Sequence, residues 1–187
     1  MEHQRWRVDL RGWAILRAVM SAAESNPDSG KPLLLVDVDG VISLFGFSPD
    51  APPEGEWLHV DGILHLCSAH AAQHLPDLGD HFELVWCTGW EEKANDYLPQ
   101  WLGLPGDLPF LQFERNPGKA RAHWKLQAID DFAGPERPLA WIDDALDEAC
   151  RDWAADRVGP TLLVQTEPST GLGELHAAEL RAWAAAL

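Results

Sequence analysis

The sequence predicts an α/β protein in which a parallel β-sheet carries helices on both faces. Apolar runs of about five residues alternate with amphipathic helical segments along the chain, which is the pattern of βα units. Three of these runs lead directly into Asp or Thr, at the ends where parallel strands place ligand-binding residues. The sequence contains no internal repeat, low-complexity segment or interdomain linker, so we expect one domain over residues 1–187.

The individual elements follow from periodicity. Short runs rich in β-branched and other apolar residues predict buried strands over 33–38, 82–87, 138–142 and 161–165, with a further short strand over 108–113. Apolar residues at helical spacing predict helices over 4–24, 68–75, 91–102, 124–132, 145–155 and 172–187.

A β-hairpin is predicted after the first strand. Residues 41–56 are rich in Gly, Pro and Ser, which indicates a loop. The next segment, 57–66, has two apolar halves around Asp61-Gly62, a dipeptide typical of two-residue hairpin turns. On such a hairpin His59 and His65 lie on opposite faces, so at most one of them can face a site beside it.

Charge and cysteine content limit the partners and the compartment. The formal net charge of −16 disfavours nucleic acid as a general partner, although a strand end held in a small pocket remains compatible with it. The three cysteines, Cys67, Cys87 and Cys150, are too far apart for a zinc site and odd in number, which favours a reducing compartment. Neither a signal peptide nor a bilayer-spanning apolar run is evident, so we expect a cytoplasmic protein without a membrane partner.

Two acids directly follow the first predicted strand. The run that ends at Val36 leads into Asp37, Val38, Asp39 and Gly40. Where a strand ends, the backbone can turn the side chains of residues i and i+2 toward one point. Two carboxylates at one point repel each other unless positive charge lies between them. The sequence therefore predicts a bound cation, a phosphate-bearing substrate, or both.

Polar residues that follow two other strands complete the predicted site. Thr88 follows the strand over 82–87, and Asp143 and Asp144 follow the strand over 138–142. Oxygen ligands of this kind suit Mg²⁺, and Asp37, Asp143 and the backbone carbonyl of Val38 or Asp39 could supply them.

A lysine is expected to balance the negative charge of these acids. Lys125 stands at the start of the helix that leads to the strand before Asp143. Lys119, within Pro117-Gly118-Lys119, is the second candidate for this position. We prefer Lys125 because its helix leads directly to that strand.

In this order and strand context, the four segments resemble the motifs of the haloacid dehalogenase (HAD) superfamily. Asp37-x-Asp39-Gly40-Val41 resembles motif I, Trp86-Cys87-Thr88-Gly89 motif II, Lys125 motif III and Trp141-Ile142-Asp143-Asp144 the paired-acid form of motif IV. The resemblance covers about residues 33–165 and implies a three-layer α/β/α Rossmann-like fold. The hairpin at 57–66 matches the family's flap, and the absence of a large cap insertion resembles the minimally capped type.

The resemblance also implies roles for these residues. Asp37 would be the nucleophile that forms an aspartyl-phosphate, and Asp39 the general acid and base. Thr88 and the Gly89 N–H would bind the phosphoryl oxygens, together with Lys125. The metal ligands for Mg²⁺ would come from Asp37, Asp39, Asp143 and Asp144.

The implied function is a Mg²⁺-dependent phosphohydrolase that acts on a small phosphorylated substrate, a phosphomonoester. Two alternatives stay open: a metal- or phosphate-binding regulatory module without turnover, and a phosphatase that processes nucleic acid ends with a partner. The sequence also leaves open a homodimer in which a second copy covers the site.

Other residues have simpler interpretations. His70 and His74 have the i, i+4 spacing of a zinc pair but lack an acidic third ligand nearby, so we expect no zinc. Cys87 is expected to pack in the core rather than to act as a nucleophile. Trp90, which follows motif II, is expected on the surface or in packing, with the site entrance as the alternative. Asp144 is expected to cap the helix over 145–155.

Overall fold

The computed structural model describes residues 30–113 and 124–187. Its strands are β1 (Leu33–Val36), β2 (Ser43–Leu44), β3 (Gly55–Val60), β4 (Ile63–Ser68), β5 (Glu83–Trp86), β6 (Leu139–Asp143) and β7 (Thr161–Gln165). Its helices are α1 (Ala69–His81), α2 (Lys93–Leu102), α3 (Leu126–Ala133), α4 (Glu148–Asp156) and α5 (Glu174–Ala184). The predicted helix over 4–24 and the alternative Lys119 lie outside the described residues.

The central sheet is parallel and has the strand order β5-β1-β6-β7. Strand β1 lies between β5 and β6, with Leu33 in register with Glu83 on one side and with Leu139 on the other. Every residue of β1 is buried, as expected of a central strand covered on both faces. This order places the carboxyl ends of β1, β5 and β6 side by side. The Asp and Thr residues of motifs I, II and IV lie at these ends.

Helices cover both faces of the sheet and complete the predicted three-layer α/β/α architecture. Leu34 and Val36 of β1 pack with buried residues of α1, α2 and α5, whereas Leu33 and Leu35 pack with buried residues of α3 and α4. The alternation follows from the two-residue period of a strand. Burying a Leu or Val side chain in this way contributes about 1.5–3 kcal/mol, so these two cores fix the sheet that carries the site.

The predicted hairpin is present and belongs to a small antiparallel sheet of order β2-β4-β3. Val60 pairs with Ile63, so Asp61 and Gly62 alone form the turn. Both have positive φ, 50° and 83°, as a type I′ turn requires. Strand β2, inside the segment predicted as a loop, was not predicted. Two residues are too few to show a strand period, and β2 forms because it pairs with β4.

The hairpin is attached to helix α2 by side chains. Lys93 and Tyr97 both contact the carboxylate of Asp61 in the turn, Lys93 as an ion pair and Tyr97 through its hydroxyl at 3.2 Å. The indole N–H of Trp101 donates to Glu56 of β3 at 2.9 Å. These contacts hold the flap beside the segment that joins β5 to α2, which contains Thr88.

Helix α1 is longer than predicted. Its N-cap is Ser68, whose hydroxyl accepts from the Ala71 N–H at 3.3 Å, and it continues past Pro76 to His81. A proline inside a helix normally disfavours it. Here Leu75 and Leu78 are buried in the core on either side of Pro76, and this packing outweighs the local preference.

Two other predictions were wrong. Residues 108–113 form no strand, only an isolated bridge between Trp86 and Phe110, because the neighbouring Pro109 has no N–H with which to extend the pairing. Asp144 is not the cap of the following helix. Helix α4 begins at Glu148, and its N-cap is Asp147, whose carboxylate accepts from the Cys150 N–H at 3.1 Å.

None of the helices in the described part of the chain combines the length and the apolar character needed to span a bilayer.

Candidate active site

Asp37 lies at the end of β1, where the backbone leaves the sheet. The Val38 N–H donates to Asp37 Oδ1 at 2.8 Å, which fixes one carboxylate oxygen. The backbone N–H groups of Ile42 and Ser43 both donate to the Val38 carbonyl at 2.8 Å. The loop after β1 is therefore closed on itself by backbone hydrogen bonds, and Asp37, 7% exposed, is held at its base.

Gly40 brings this loop against the Asp143-Asp144 segment. Its φ is +73°, and a Cβ built on it would lie 2.5 Å from Cγ of Asp144, so only glycine fits here. The hydroxyl of Thr166, in the segment after β7, donates to the Gly40 carbonyl at 2.9 Å. The Thr166 N–H donates to the Asp143 carbonyl at 3.2 Å. Thr166 thus joins the two acid-bearing loops.

Lys125 lies between the two buried acids. Its Nζ is 2.8 Å from Oδ2 of Asp37 and 2.7 Å from Oδ2 of Asp143. The second oxygen of Asp143 accepts from the Ala145 N–H at 2.8 Å. Lys125 is 3% exposed, and Asp143 is fully buried. The lysine that leads into α3 therefore occupies the position expected of it.

Three of the four predicted metal ligands come together. Carboxylate oxygens of Asp37, Asp143 and Asp144 lie within 4.8 Å of one another, and within the described ranges no other group of three His, Cys, Asp or Glu side chains meets this closely. The carboxylate of Asp39 is outside this cluster. Its Oδ2 instead accepts from the indole N–H of Trp90 at 3.0 Å. The group of Asp39 that the sequence offers as a metal ligand is its backbone carbonyl, and this stays a prediction.

Thr88 and Gly89 lie beside these acids, after β5. Thr88 is fully buried, and its Oγ1 accepts from the Trp90 N–H at 3.3 Å. Gly89 is exposed, and the ring of Trp124 approaches within 3.8 Å of the position that a Cβ on it would take. Asp39 is exposed as well, so the nucleophile candidate lies at the bottom of the site and Asp39 at its opening.

Comparison with protein families agrees with this geometry. Residues 33–177 match the family described as the HAD domain in Swiss Army Knife RNA repair proteins. This chain belongs to that HAD family. The match runs from β1 into α5 and confirms the predicted superfamily and fold. HAD domains are in general hydrolases, phosphatases among them. None of the curated proteins compared with the chain matches it.

The acids of this HAD site carry more negative charge than the one nearby lysine can balance. Burial raises the pKa of Asp37 to about 7, and the neighbouring Asp143 adds to the effect although Lys125 opposes it. Burial alone would lower the pKa of Lys125, but Asp37 and Asp143 outweigh it and the pKa is raised. Burial and Asp143 raise the pKa of Asp144. When all are ionised, three carboxylates face one ammonium group.

The residues present fit a Mg²⁺ ion. The available ligand atoms are carboxylate oxygens, which Mg²⁺ prefers. Three carboxylates and one ammonium group leave a net charge of −2, which a divalent cation would neutralise. HAD domains typically use this ion. Asp37, Asp143 and Asp144 are the residues of this chain that could hold it.

The other residues considered as site candidates lie in the core, on α1 or on the hairpin. Cys87 is fully buried, and burial raises the pKa of its thiol well above the usual value, as expected for a packing residue. The rings of His70 and His74 stack with centroids 6.4 Å apart, and Nε2 of His74 lies 3.6 Å from Glu174. His65 faces the HAD site through a contact with Trp90, and His59 lies on the opposite face of the hairpin, as the two-residue turn predicts.

Thr166 of this HAD site was not predicted from the sequence, and Trp90 was placed at the entrance only as the second interpretation. Thr166 follows β7 as the motif residues follow the other strands of the sheet, and that pattern could have identified it. Trp90 was expected on the surface or in packing, with the entrance as the alternative. Its contact with Asp39 depends on the backbone after Thr88, where Glu91 has a positive φ of 50° that no sequence pattern indicates.

Proposed function

We propose that this HAD domain is a Mg²⁺-dependent phosphohydrolase that cleaves a phosphomonoester through a phosphorylated Asp37. The observation that carries the proposal is the buried arrangement of Asp37, Lys125 and Asp143, with Nζ of Lys125 within 2.8 Å of both carboxylates. This arrangement holds a carboxylate at the bottom of a site with cationic charge beside it, as a nucleophile toward a phosphate dianion requires.

In the first step, a carboxylate oxygen of Asp37 attacks phosphorus. A bond forms between that oxygen and phosphorus, and the bond from phosphorus to the leaving oxygen breaks with its electron pair on the leaving oxygen. The carboxyl group of Asp39, at the opening of the site, gives its proton to that oxygen. The products are the free alcohol and an aspartyl-phosphate at Asp37.

In the second step, water releases the phosphate. The carboxylate of Asp39 accepts a proton from water while the water oxygen attacks phosphorus. The bond between phosphorus and Asp37 breaks, inorganic phosphate leaves, and the Asp37 carboxylate is restored. Asp39 is again protonated, so the proton given to the leaving group is replaced by one from water.

Other groups hold the phosphoryl oxygens during both steps. The Thr88 hydroxyl and the Gly89 N–H would donate hydrogen bonds to them, and the Lys125 ammonium would offset negative charge on them. Mg²⁺ held by Asp37, Asp143 and Asp144 would further offset the charge that develops on the transferring group.

Activity on a generic aryl phosphate tests the proposal. Wild type should release phosphate from p-nitrophenyl phosphate in the presence of Mg²⁺ but not with EDTA, and Asp37→Asn should abolish the release. Asp96→Asn, a change at an exposed acid on α2, is the matched control and should leave the rate unchanged. Wild type that binds Mg²⁺ without any turnover on a broad phosphate panel would favour a binding module instead.

A phosphatase acting on RNA ends is the second candidate. Its support is the description of the matching family, HAD domain in Swiss Army Knife RNA repair proteins. The net charge of −16 opposes RNA binding by this chain alone, so this function requires a partner or a pocket that holds only the terminal phosphate.

Rates on 5′- and 3′-phosphorylated RNA oligonucleotides, compared with mononucleotides and sugar phosphates, separate the two candidates. Because like charges repel, an RNA substrate handled by this chain alone should react faster as salt screens the repulsion. A preference for oligonucleotides supports the repair function, and a preference for one small metabolite supports the small-substrate function.

A further inference from the structure

We propose that Trp90 is a positioning residue that fixes which oxygen of Asp39 carries the proton for the leaving group. The proposal rests on the proposed function, because it concerns the acid and base of that reaction. Its basis is the hydrogen bond from Nε1 of Trp90 to Oδ2 of Asp39, at 3.0 Å.

The chemistry of the indole determines what this contact does. An indole N–H is a donor only, so the oxygen it contacts must act as an acceptor. The carbonyl oxygen of a carboxylic acid is a stronger acceptor than its hydroxyl oxygen, so this contact favours the Asp39 proton on Oδ1 with the carbonyl-like Oδ2 facing Trp90. Asp39 is exposed, and without this partner its carboxyl group could rotate or carry the proton on either oxygen. Trp90 thus leaves one defined oxygen free to give the proton.

Trp90 is itself held by a contact with the hairpin. Its ring meets the ring of His65 edge-on, with centroids 4.9 Å apart at 70°. The His65 ring is fixed in turn by a 2.8 Å hydrogen bond between its Nδ1 and Ser43 Oγ. A half-buried indole with an aromatic neighbour has few alternative orientations, so its N–H can act as a fixed reference for Asp39.

The same residue orients Thr88. The backbone N–H of Trp90 donates to Thr88 Oγ1 at 3.3 Å, so the hydroxyl hydrogen of Thr88 is free to donate to a phosphoryl oxygen. Trp90 therefore links the hydroxyl that binds the phosphate to the acid that protonates the leaving oxygen. A side-chain substitution at Trp90 removes the second of these contacts and keeps the backbone contact to Thr88.

The dependence of the rate on the leaving group distinguishes positioning of the acid from a structural role. A nitrophenolate leaves without protonation, whereas an alkoxide needs a proton as the bond to phosphorus breaks. The value of kcat/KM reports the steps up to departure of the leaving group, so it is free of the later attack of water. Loss of the Trp90 N–H should therefore lower kcat/KM for an alkyl phosphate far more than for p-nitrophenyl phosphate.

The experiment compares Trp90→Phe with Trp101→Phe on these two substrates. Trp101 of α2 donates its indole N–H to Glu56 of the hairpin and not to Asp39, so Trp101→Phe is a matched control. General acid catalysis contributes roughly 10²–10⁴-fold, so we expect Trp90→Phe to lose about 10-fold or more with the alkyl phosphate. It should lose less than about 3-fold with p-nitrophenyl phosphate, and Trp101→Phe should change neither value.

A double-mutant cycle makes the assignment specific to Asp39. In an Asp39→Asn background, Trp90→Phe should have no further effect on the alkyl substrate, because the acid that it positions is gone. Equal losses on both substrates, or a full loss in the Asp39→Asn background, would overturn the proposal.

Folding and overall activity are checked separately. If Trp90→Phe does not fold, a tryptophan analogue with sulfur in place of the indole N–H keeps the ring shape and tests the same contact. Absence of wild-type activity on p-nitrophenyl phosphate would overturn the proposed function, and this inference with it. Wild-type activity with no difference between the substrates in the variant would overturn this inference alone.

Discussion

Nζ of Lys125 lies 2.8 Å from Oδ2 of Asp37, a contact between the segment before α3 and the end of β1. The same ammonium group lies 2.7 Å from Oδ2 of Asp143 at the end of β6. Because β1 and β6 are neighbours in the sheet, one cation can serve both acids. All three groups are almost fully buried, so their charges interact strongly. Replacing any one of these side chains should therefore have a large effect on stability.

Removing the cation should destabilise the protein severely. Lys125→Met leaves Asp37 and Asp143 buried beside each other without their shared partner. Removing one partner of a buried ion pair typically costs about 3–5 kcal/mol of the free energy of unfolding. Urea unfolding with EDTA should show a loss of that size, and saturating Mg²⁺ should restore part of it because the ion would reduce the repulsion.

Lys93→Met is the matched control for this prediction. Lys93 pairs with Asp61 on the surface of the hairpin, where both side chains are more than half exposed. Surface ion pairs contribute little, so this variant should unfold at nearly the wild-type denaturant concentration. Similar losses of unfolding free energy in the two variants would contradict the claim that Lys125 stabilises the two buried acids.

The stability of the metal-free protein should depend on pH through Asp37. Its pKa is raised from 3.8 to about 7, so the folded state binds this proton more tightly than the unfolded state. The resulting stabilisation is complete below about pH 4 and is lost as pH rises through 7. Lys125 does not change this window, because its pKa is raised above an already high 10.5 and it stays charged throughout.

Asp37→Asn isolates this contribution because Asn does not ionise. In EDTA, the variant should gain stability relative to wild type between pH 5 and pH 8, by about 1 kcal/mol or more. With saturating Mg²⁺ at pH 8 the order should reverse, because wild type keeps the carboxylate that holds the ion. A difference between variant and wild type that does not change with pH would contradict the raised pKa.

Gly40 should control the metal site through Asp144. Gly40→Ala and Gly62→Ala both place a Cβ at positive φ, +73° and +83°, which costs about 1–2 kcal/mol in each case. Only at Gly40 would the Cβ also collide with the Asp144 carboxylate; at Gly62 no atom lies within 4 Å. Titration with Mg²⁺ should show a loss of roughly 10- to 100-fold in affinity for Gly40→Ala and little change for Gly62→Ala. Equal affinities would show that Asp144 has no part in the site.

The sequence predicted the main sheet well because its two central strands, β1 and β6, are fully buried and appear as continuous apolar runs. The apolar run of the partly buried strand β7 was also sufficient, and β7 was predicted over the same residues that form it. Prediction from the sequence failed where contacts between distant parts of the chain determine the structure. Strand β2 exists only because β4 pairs with it, and α1 passes Pro76 only because both flanking turns are buried.

The site was predictable to the extent that its residues lie at or just after the ends of strands. Asp37, Thr88 and Asp143 do so, and the parallel sheet brings them to one edge. The direction of each side chain was not predictable. The Asp39 carboxylate faces Trp90 rather than the other acids, because the backbone after Thr88 turns the indole toward it. Asp144 was expected both as a metal ligand and as a helix cap; it lies among the other carboxylates, but the cap is Asp147.

Chemical trapping of the phosphorylated enzyme tests the central claim most directly. Borohydride reduces an aspartyl-phosphate to homoserine, and mass spectrometry of the peptide locates the change. In wild type turning over p-nitrophenyl phosphate with Mg²⁺, we expect homoserine at position 37, and none in EDTA or in Asp37→Asn. Turnover without any modification at position 37, or modification at another acid, would contradict the assignment of Asp37 as the nucleophile.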